Sequence, residues 1–253
     1  MSQIHFIGGE KGGIGKSVVS RLLAQYHIDR GIPFIAFDTD SSHGALARFY
    51  TDFTTEIKLS DFDSADKLME AAVAQPQNVL VDLAAQTTQH LTKWIEDTDL
   101  LGIAQEENVT IVLWHVLDDG ADGIKLLSQL FARFGNRTNY VVVKNYGRGK
   151  DFSRFENSPV RATATTLNAK IIEIPDLHAT CMRKIDHLGL SFWAAANNRE
   201  HGLGLMERQR IKVWLRKAYE QFDQIGHSHL STVAPPLLDD PIDPALLDKG
   251  LIE

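Results

Sequence analysis

A glycine-rich segment near the start of the chain has the residue types needed to bind phosphate. Residues 9–17 read Gly-Glu-Lys-Gly-Gly-Ile-Gly-Lys-Ser, after an apolar run at 4–7 and before apolar residues at helical spacing over 18–28. Glycines let backbone N–H groups turn toward phosphate oxygens, and the N-terminus of the following helix adds partial positive charge. Lys16 would reach the β- and γ-phosphates, and Ser17 would ligate Mg²⁺. The segment therefore predicts a nucleotide site, and a glycine-rich turn that binds nothing is the alternative.

Acidic residues end two further apolar runs. Asp38 and Asp40 follow the run at 32–37, and the single residue between them points both carboxylates to one side of an extended chain. Asp82 ends the run at 79–81. A buried carboxylate is costly unless a cation or its hydration shell pairs with it, so Mg²⁺ is a physical solution at Asp82. Capping of the following helices is the competing interpretation for these acids.

An alternation of strands and helices must position these residues. Apolar runs predict strands at 4–7, 32–37, 78–81, 111–114, 140–143 and 170–174. Helical patterns lie at about 64–75, 87–106 and 119–134. Strands buried on both faces and alternating with helices predict an α/β fold with a mostly parallel central sheet and helices on both faces. Ligands of such a sheet bind at the carboxyl ends of its strands, where the acids fall.

The loop departs from the strict Walker A pattern, which would need glycine where the chain has Glu10. It matches the variant Lys-Gly-Gly-x-Gly-Lys-Ser completely, and on this motif the chain resembles the ParA/MinD superfamily of deviant Walker A ATPases. The resemblance implies a P-loop ATPase that binds ATP and Mg²⁺, hydrolyses ATP slowly with stimulation by a partner, and forms a homodimer on ATP binding. Lys11 would be the signature lysine that acts in trans, and a solvated surface lysine is the alternative.

The resemblance also implies roles for the acids. Asp38 would hold the water shell of Mg²⁺, Asp40 would orient or deprotonate the water that attacks the γ-phosphate, and Asp82 would be the Walker B acid. The expected catalytic residues are Lys11, Lys16 and Asp40, and the expected metal ligands are Ser17, Asp38 and Asp82.

Three later segments resemble the switch and base-side loops of the superfamily. Residues 83–87 would sense the γ-phosphate, with Gln86 as a candidate for water contact. Asn145 would hydrogen-bond the base, although a turn-forming asparagine would have the same pattern, and Pro175 and Asp176 would form the later base-side loop. The expected nucleotide-binding residues are Gly12, Gly13, Ile14, Gly15, Lys16, Ser17, Val18, Asn145, Pro175 and Asp176.

Within the superfamily, the chain most resembles the ATPases of plasmid mobilisation, conjugal transfer and plasmid stability, the TraL/StbB/MobD-type branch. The resemblance covers 1–225 and rests on the opening strand, the Asp-Thr-Asp turn at 38–40, Phe192-Trp193 and the segment 208–214. Residues 41–43 are Ser-Ser-His, where many partition relatives have proline and glutamine.

Composition limits the possible partners and compartment. A formal net charge of −7 argues against a chain that coats nucleic acid over its whole surface, so DNA contact would need a local basic patch or a DNA-binding partner protein. No apolar run approaches the ~20 residues of a membrane span, and we expect a cytoplasmic protein without a transmembrane segment. The single cysteine, Cys181, is expected to be a small core residue without chemistry.

The end of the chain divides into a helix and a tail. The pattern over 205–225 predicts an amphipathic helix that packs on the sheet, and contact of its basic face with DNA or acidic lipid is the alternative. We expect one ATPase domain over 1–226 and an irregular acidic, proline-containing tail over 227–253.

The sequence thus favours an ATP-dependent dimerising switch that acts in plasmid or DNA partition, stability or conjugal mobilisation. The alternative is a MinD-like ATPase that positions a protein complex at the membrane or pole. A metabolic enzyme of the same superfamily, which would activate a carboxylate with ATP, would need a substrate pocket that the sequence does not identify.

Overall fold

The fold is a single parallel sheet between layers of helices. The computed structural model describes residues 1–9, 11–40, 44–200 and 202–225. Its seven strands lie in the spatial order β3-β2-β4-β1-β5-β6-β7, and every neighbouring pair is parallel. The strands are β1 (Gln3–Gly8), β2 (Phe34–Asp38), β3 (Thr54–Glu56), β4 (Asn78–Asp82), β5 (Thr110–Leu117), β6 (Asn139–Asn145) and β7 (Lys170–Ile174).

Helices fill the connections between these strands, which confirms the predicted α/β class. The first six are α1 (Lys16–Arg30), α2 (Ala45–Phe49), α3 (Phe62–Ala65), α4 (Lys67–Ala74), α5 (Thr88–Asp97) and α6 (Leu100–Glu106). The others are α7 (Ala121–Phe134), α8 (Ser153–Glu156), α9 (Pro159–Thr166), α10 (Ala179–Leu188), α11 (Phe192–Asn197) and α12 (Leu205–Asp223), and a short 3₁₀ helix spans Thr51–Phe53.

Alternate side chains of the central strands enter two separate cores, one on each face of the sheet. Trp114 of β5 packs in the core beneath α1, α11 and α12, whereas its neighbour Leu113 packs in the core beneath α4, α5 and α7. Strand side chains point alternately to the two faces, so a strand covered on both sides must be apolar throughout. This is why the apolar runs located the main strands correctly.

Three features differ from the sequence expectation. The helical pattern at 64–75 is two short helices, α3 and α4, on either side of Asp66. The helical pattern at 87–106 is two helices, because Asp99 has the left-handed backbone conformation (φ 47°), which aspartate adopts more readily than most residues, and this breaks the helix between α5 and α6. The edge strand β3 was not predicted, because its three residues, Thr-Thr-Glu, form no apolar run.

The last described helix packs on the sheet as predicted. Ile211, Leu215 and Phe222 of α12 are buried, and the indole Nε1 of Trp214 donates a hydrogen bond to the carbonyl of Pro175 at 2.7 Å. Cys181 is buried in the same core, as expected. The predicted tail at 227–253 lies outside the described residues. None of the described helices combines the length and apolar character needed to cross a membrane.

Candidate functional site

The loop between β1 and α1 lies at the carboxyl edge of the sheet, with its final glycine at the N-terminus of α1. Gly13 (φ 80°) and Gly15 (φ 92°) have left-handed backbone conformations, which turn successive peptide units of the loop. The Nζ of Lys16 donates to the carbonyl of Lys11 at 3.1 Å, so this side chain curls back across the loop. The predicted strand, loop and helix therefore occur in the order that a phosphate-binding loop requires.

Asn145, at the end of β6, holds this loop from two strands away in the sheet. Its Nδ2 donates to the carbonyl of Ile14 at 2.7 Å, and its Oδ1 accepts from the N–H of Gly147 at 3.0 Å. A Cβ added to Gly15 would lie 2.2 Å from the Asn145 Nδ2, so only glycine leaves room for this contact. The turn-forming alternative thus describes the contacts of Asn145 here, and its contact with a base stays a prediction.

Asp38 and Asp82 lie side by side beneath the loop. They are register partners on β2 and β4, and both side chains are buried. The carboxylate of Asp82 accepts a hydrogen bond from the Ser20 hydroxyl at 2.9 Å and another from the Ser17 hydroxyl. Asp38 accepts from backbone N–H groups at the start of α2, those of Leu46 at 3.0 Å and Ala47 at 3.1 Å. Asp38 thus caps the first turn of α2, and its part in holding Mg²⁺ stays a prediction.

The two carboxylates oppose each other's ionisation. Burial, followed by the negative charge of Asp38, raises the pKa of Asp82 from its ordinary value of 3.8 to about 7. Burial also raises the pKa of Asp38, against the hydrogen bonds that it accepts. A cation between these groups would reverse both shifts, and the oxygen donors of Ser17, Asp38 and Asp82 suit Mg²⁺. Within the described ranges no group of three or more His, Cys, Asp or Glu side chains is placed to hold a metal ion.

Lys11 lies against an acid that the sequence analysis missed. Its Nζ is 2.6 Å from the Oδ2 of Asp118, the residue that follows β5, and its side chain is 45% exposed. The hydrogen bond and the charge of Asp118 raise the pKa of Lys11. The position of Asp118 in the sequence could have indicated it, because this acid comes at the end of a buried apolar run, as Asp38 and Asp82 do.

A single hydroxyl joins the segments that follow β2 and β4. The Oγ1 of Thr39 donates to the carbonyl of Asp82 at 3.1 Å and accepts from the N–H of Ala84 at 2.8 Å. Asp40 is partly exposed beside it, and its N–H donates to Asp38. Gln86 has a left-handed backbone (φ 64°), a strained conformation of the kind concentrated at functional loops. The residues predicted to sense and hydrolyse the γ-phosphate are therefore physically connected.

The predicted base-side residues lie at the carboxyl ends of β6 and β7. Asn145 is the register partner of Ile174, which immediately precedes Pro175. Asp176 forms an exposed ion pair with Lys150 at 2.6 Å, and the carbonyl of Pro175 is occupied by α12. The structure thus brings the turn after β6 and the loop after β7 to one edge, beside the phosphate-binding loop.

Glycine substitutions should separate the effects of backbone conformation and space in the loop. We expect Gly12→Ala to change the free energy of unfolding by less than about 0.5 kcal/mol, because the added Cβ meets nothing and the backbone is ordinary. Gly13→Ala should cost about 1 kcal/mol through its positive φ alone. Gly15→Ala should cost about 3 kcal/mol or more, because the Asn145 amide must also move. Urea unfolding of the three variants measures this order, and equal losses at positions 13 and 15 would contradict it.

The acid pair should make the stability of the nucleotide-free protein depend on pH. Both carboxyls bind protons more tightly in the folded chain, so their contribution to stability should fall as the pH rises from about 4 to about 7. Burial lowers the pKa of His115 to about 4, and this group contributes the opposite slope in wild type and variant alike. Asp82→Asn should remove roughly 4 kcal/mol of the fall and leave the His115 contribution. Urea unfolding at several pH values in EDTA measures it, with the exposed Asp52→Asn as the control. A wild-type pH dependence retained in Asp82→Asn would disprove the argument.

Comparisons with known proteins agree with this geometry. No family model matches the sequence. The chain is 26% identical to Protein MobD of Acidithiobacillus ferrooxidans over 228 residues, which are 88% of this chain and 98% of MobD. It is 24% identical to a Protein TraL of Escherichia coli over 242 residues, again 88% and 98% of the two chains.

A solved structure shares the fold. The septum site-determining protein MinD of Pyrococcus horikoshii, complexed with Mg-ADP, superposes with a TM-score of 0.55 at 15% identity, over 90% of this chain and 98% of that one. The parallel sheet, the Lys-Gly-Gly-x-Gly-Lys-Ser loop and the nearly full-length similarity to MobD and TraL together support a ParA/MinD-type ATPase of the plasmid mobilisation and transfer branch.

Proposed function

We propose that this protein is an ATP-dependent switch that dimerises on binding ATP and Mg²⁺, hydrolyses the ATP, and acts in plasmid partition, stability or conjugal mobilisation. The observation that carries the proposal is the position of Lys11 at the mouth of the loop, partly exposed and held by an acid of its own chain. The printed names of MobD and TraL support the plasmid-related role.

The chain's own residues divide the reaction among them. Lys16 would bind the β- and γ-phosphates, and Asp40 would orient the attacking water or accept its proton. Ser17, Asp38 and Asp82 would hold Mg²⁺, which when bound neutralises charge on the phosphate oxygens. These roles follow from the burial of the acid pair and its hydrogen bond with the Ser17 hydroxyl.

Lys11 would change partners during the cycle. In the structure it pairs with Asp118, and in the ATP dimer it would bind a phosphate held by the facing subunit. The Asp118 contact is then a cost of dimerisation, because it must break before the new contact forms.

The base would lie beside the turn after β6. The backbone of 12–18 would cradle the phosphates, and Asn145, Pro175 and Asp176 would border the base. The common edge of β6 and β7 supports this placement.

DNA contact would be local or indirect. Arg210, Arg216 and Lys217 are exposed on α12, whereas the chain as a whole has a net charge of −7. A basic helix face or a DNA-binding partner protein would therefore carry the contact, in a protein that we place in the cytoplasm. Affinity of the ATP-bound protein, alone or with its partner, for plasmid DNA should fall steeply with salt.

Mass measurement by light scattering tests the switch. At protein concentrations well below ~10 µM, wild type should be a monomer without nucleotide or with ADP, and a dimer with ATP–Mg²⁺. Lys11→Ala should stay monomeric because the trans contact is lost, and Asp40→Ala should give a longer-lived dimer because hydrolysis is slowed. The exposed Lys125→Ala is the matched lysine control. ATP hydrolysis without any change in mass would instead indicate a conventional P-loop enzyme.

Asp118→Asn should favour the dimer. It removes a partly exposed ion pair that must otherwise break, so the ATP concentration at half-dimerisation should fall about threefold to fivefold. The neighbouring Asp119→Asn, whose carboxylate accepts from the N–H of Lys150, is the control. A higher ATP requirement in Asp118→Asn would mean that Asp118 supports the dimer and does not oppose it.

A further inference from the structure

A groove lies between α4 and α6, on the face of the sheet opposite α1. Its volume is about 590 Å³, and Trp94 of α5 lies among its lining residues. Met69 and Val73 line it from α4, one turn apart, and Ile103 lines it from α6. Val73 is 47% exposed and Ile103 is 44% exposed. The two helices thus point apolar side chains into a space that no described part of the chain fills.

The rim of this groove is acidic. Asp66, Glu70 and Glu107 line it, and no lysine or arginine does. Residues 61–107 contain ten aspartates and glutamates but only two basic residues other than histidine, Lys67 and Lys93. The excess of acidic over basic residues in this region is therefore at least as large as the net charge of −7 of the whole chain. An occupant that fits would combine exposed apolar side chains with positive charge.

The start of α12 has this combination. Leu205 and Met206 are 72% and 61% exposed, and Arg208 and Arg210 follow them within the next turn. Arg210 lies four residues after Met206 and therefore on the same helix face. Glu207, the acid among them, is already paired with Lys184 at 2.8 Å. We call residues 205–210 the knob.

The knob and the groove of one chain lie at opposite edges of the sheet. The knob precedes the part of α12 that contacts Pro175, beyond the carboxyl end of β7. The groove helices α4 and α6 end shortly before β4 and β5 begin, at the amino edge. A knob can therefore fill a groove only on another copy.

We propose that the knob of one copy docks in the groove of a second copy. The contact joins two different surfaces, so each bound copy still offers one free knob or groove, and repetition gives an open chain of copies unless the rotation closes a ring. It uses neither the phosphate-binding loop nor Lys11, and so it is independent of the proposed ATP dimer. A contact of this small size should be weak, with a dissociation constant on the order of 10 µM or above.

Sedimentation velocity of the full-length protein in EDTA, without nucleotide, tests the contact. The weight-average mass should rise with concentration between about 5 and 200 µM and fall when salt is raised from about 50 to 500 mM. Val73→Asp in the groove and Leu205→Asp in the knob should each give monomers. Leu188→Asp, an exposed leucine outside both surfaces, should associate as wild type does. Circular dichroism checks that each variant is folded.

Mixing identifies the two halves of the contact. Val73→Asp retains a working knob and Leu205→Asp a working groove, so the equimolar mixture should form 1:1 dimers and nothing larger. Glu70→Arg and Arg210→Glu should each weaken association about tenfold, and the chain carrying both changes should recover it. Glu106→Arg, an exposed acid on α6 outside the groove lining, is the charge control.

Three results would overturn the proposal. Wild type could remain monomeric throughout the concentration range, association could persist in Val73→Asp or Leu205→Asp, or the mixture could fail to form dimers. If the chain is monomeric and the groove instead binds a basic amphipathic segment of another protein, then the proposal that a second copy fills the groove is wrong.

Discussion

Repulsion between two buried carboxylates is the constraint around which the site is built. Asp38 and Asp82 end adjacent parallel strands, so the register of β2 and β4 forces them together in a region that water does not reach. Two negative charges in such a place are costly, and the pKa of Asp82 rises to about 7 in response. The arrangement is stable as charged groups only with positive charge nearby. Protons and a cation would therefore compete for the acid pair, because either one removes the repulsion.

The phosphate-binding loop lies next to the acid pair, and two other strands hold it in place. Asn145 fixes its peptide at Ile14 from β6, while Asp118 engages Lys11 from the end of β5. One contact is buried and neutral, and the other is partly exposed and ionic. The first sets the shape of the loop, whereas the second can exchange at small cost in free energy. The same short loop thus combines one buried, neutral contact with one partly exposed, ionic contact.

Much of the fold could be predicted because the strands are covered on both faces, so apolar runs and the acids that end them mark the carboxyl edge directly. The division at Asp99 was missed because the apolar spacing continues across it, and β3 because its short polar sequence has no burial pattern. Asp118 was missed for a different reason. Its partner, Lys11, is 107 residues away in sequence, and only the adjacency of β1 and β5 brings them together.

The carboxylate of Asp38 both caps a helix and is expected to lie near a metal. Its Oδ2 accepts from the first turn of α2, the helix that follows the segment after β2, and the same group is the one expected near a metal. The ring of Phe49 at the other end of α2 lies 3.5 Å from the guanidinium of Arg21, which is buried in α1. A single carboxylate therefore serves both the first turn of α2 and the expected metal site, and the far end of the same short helix contacts the buried Arg21.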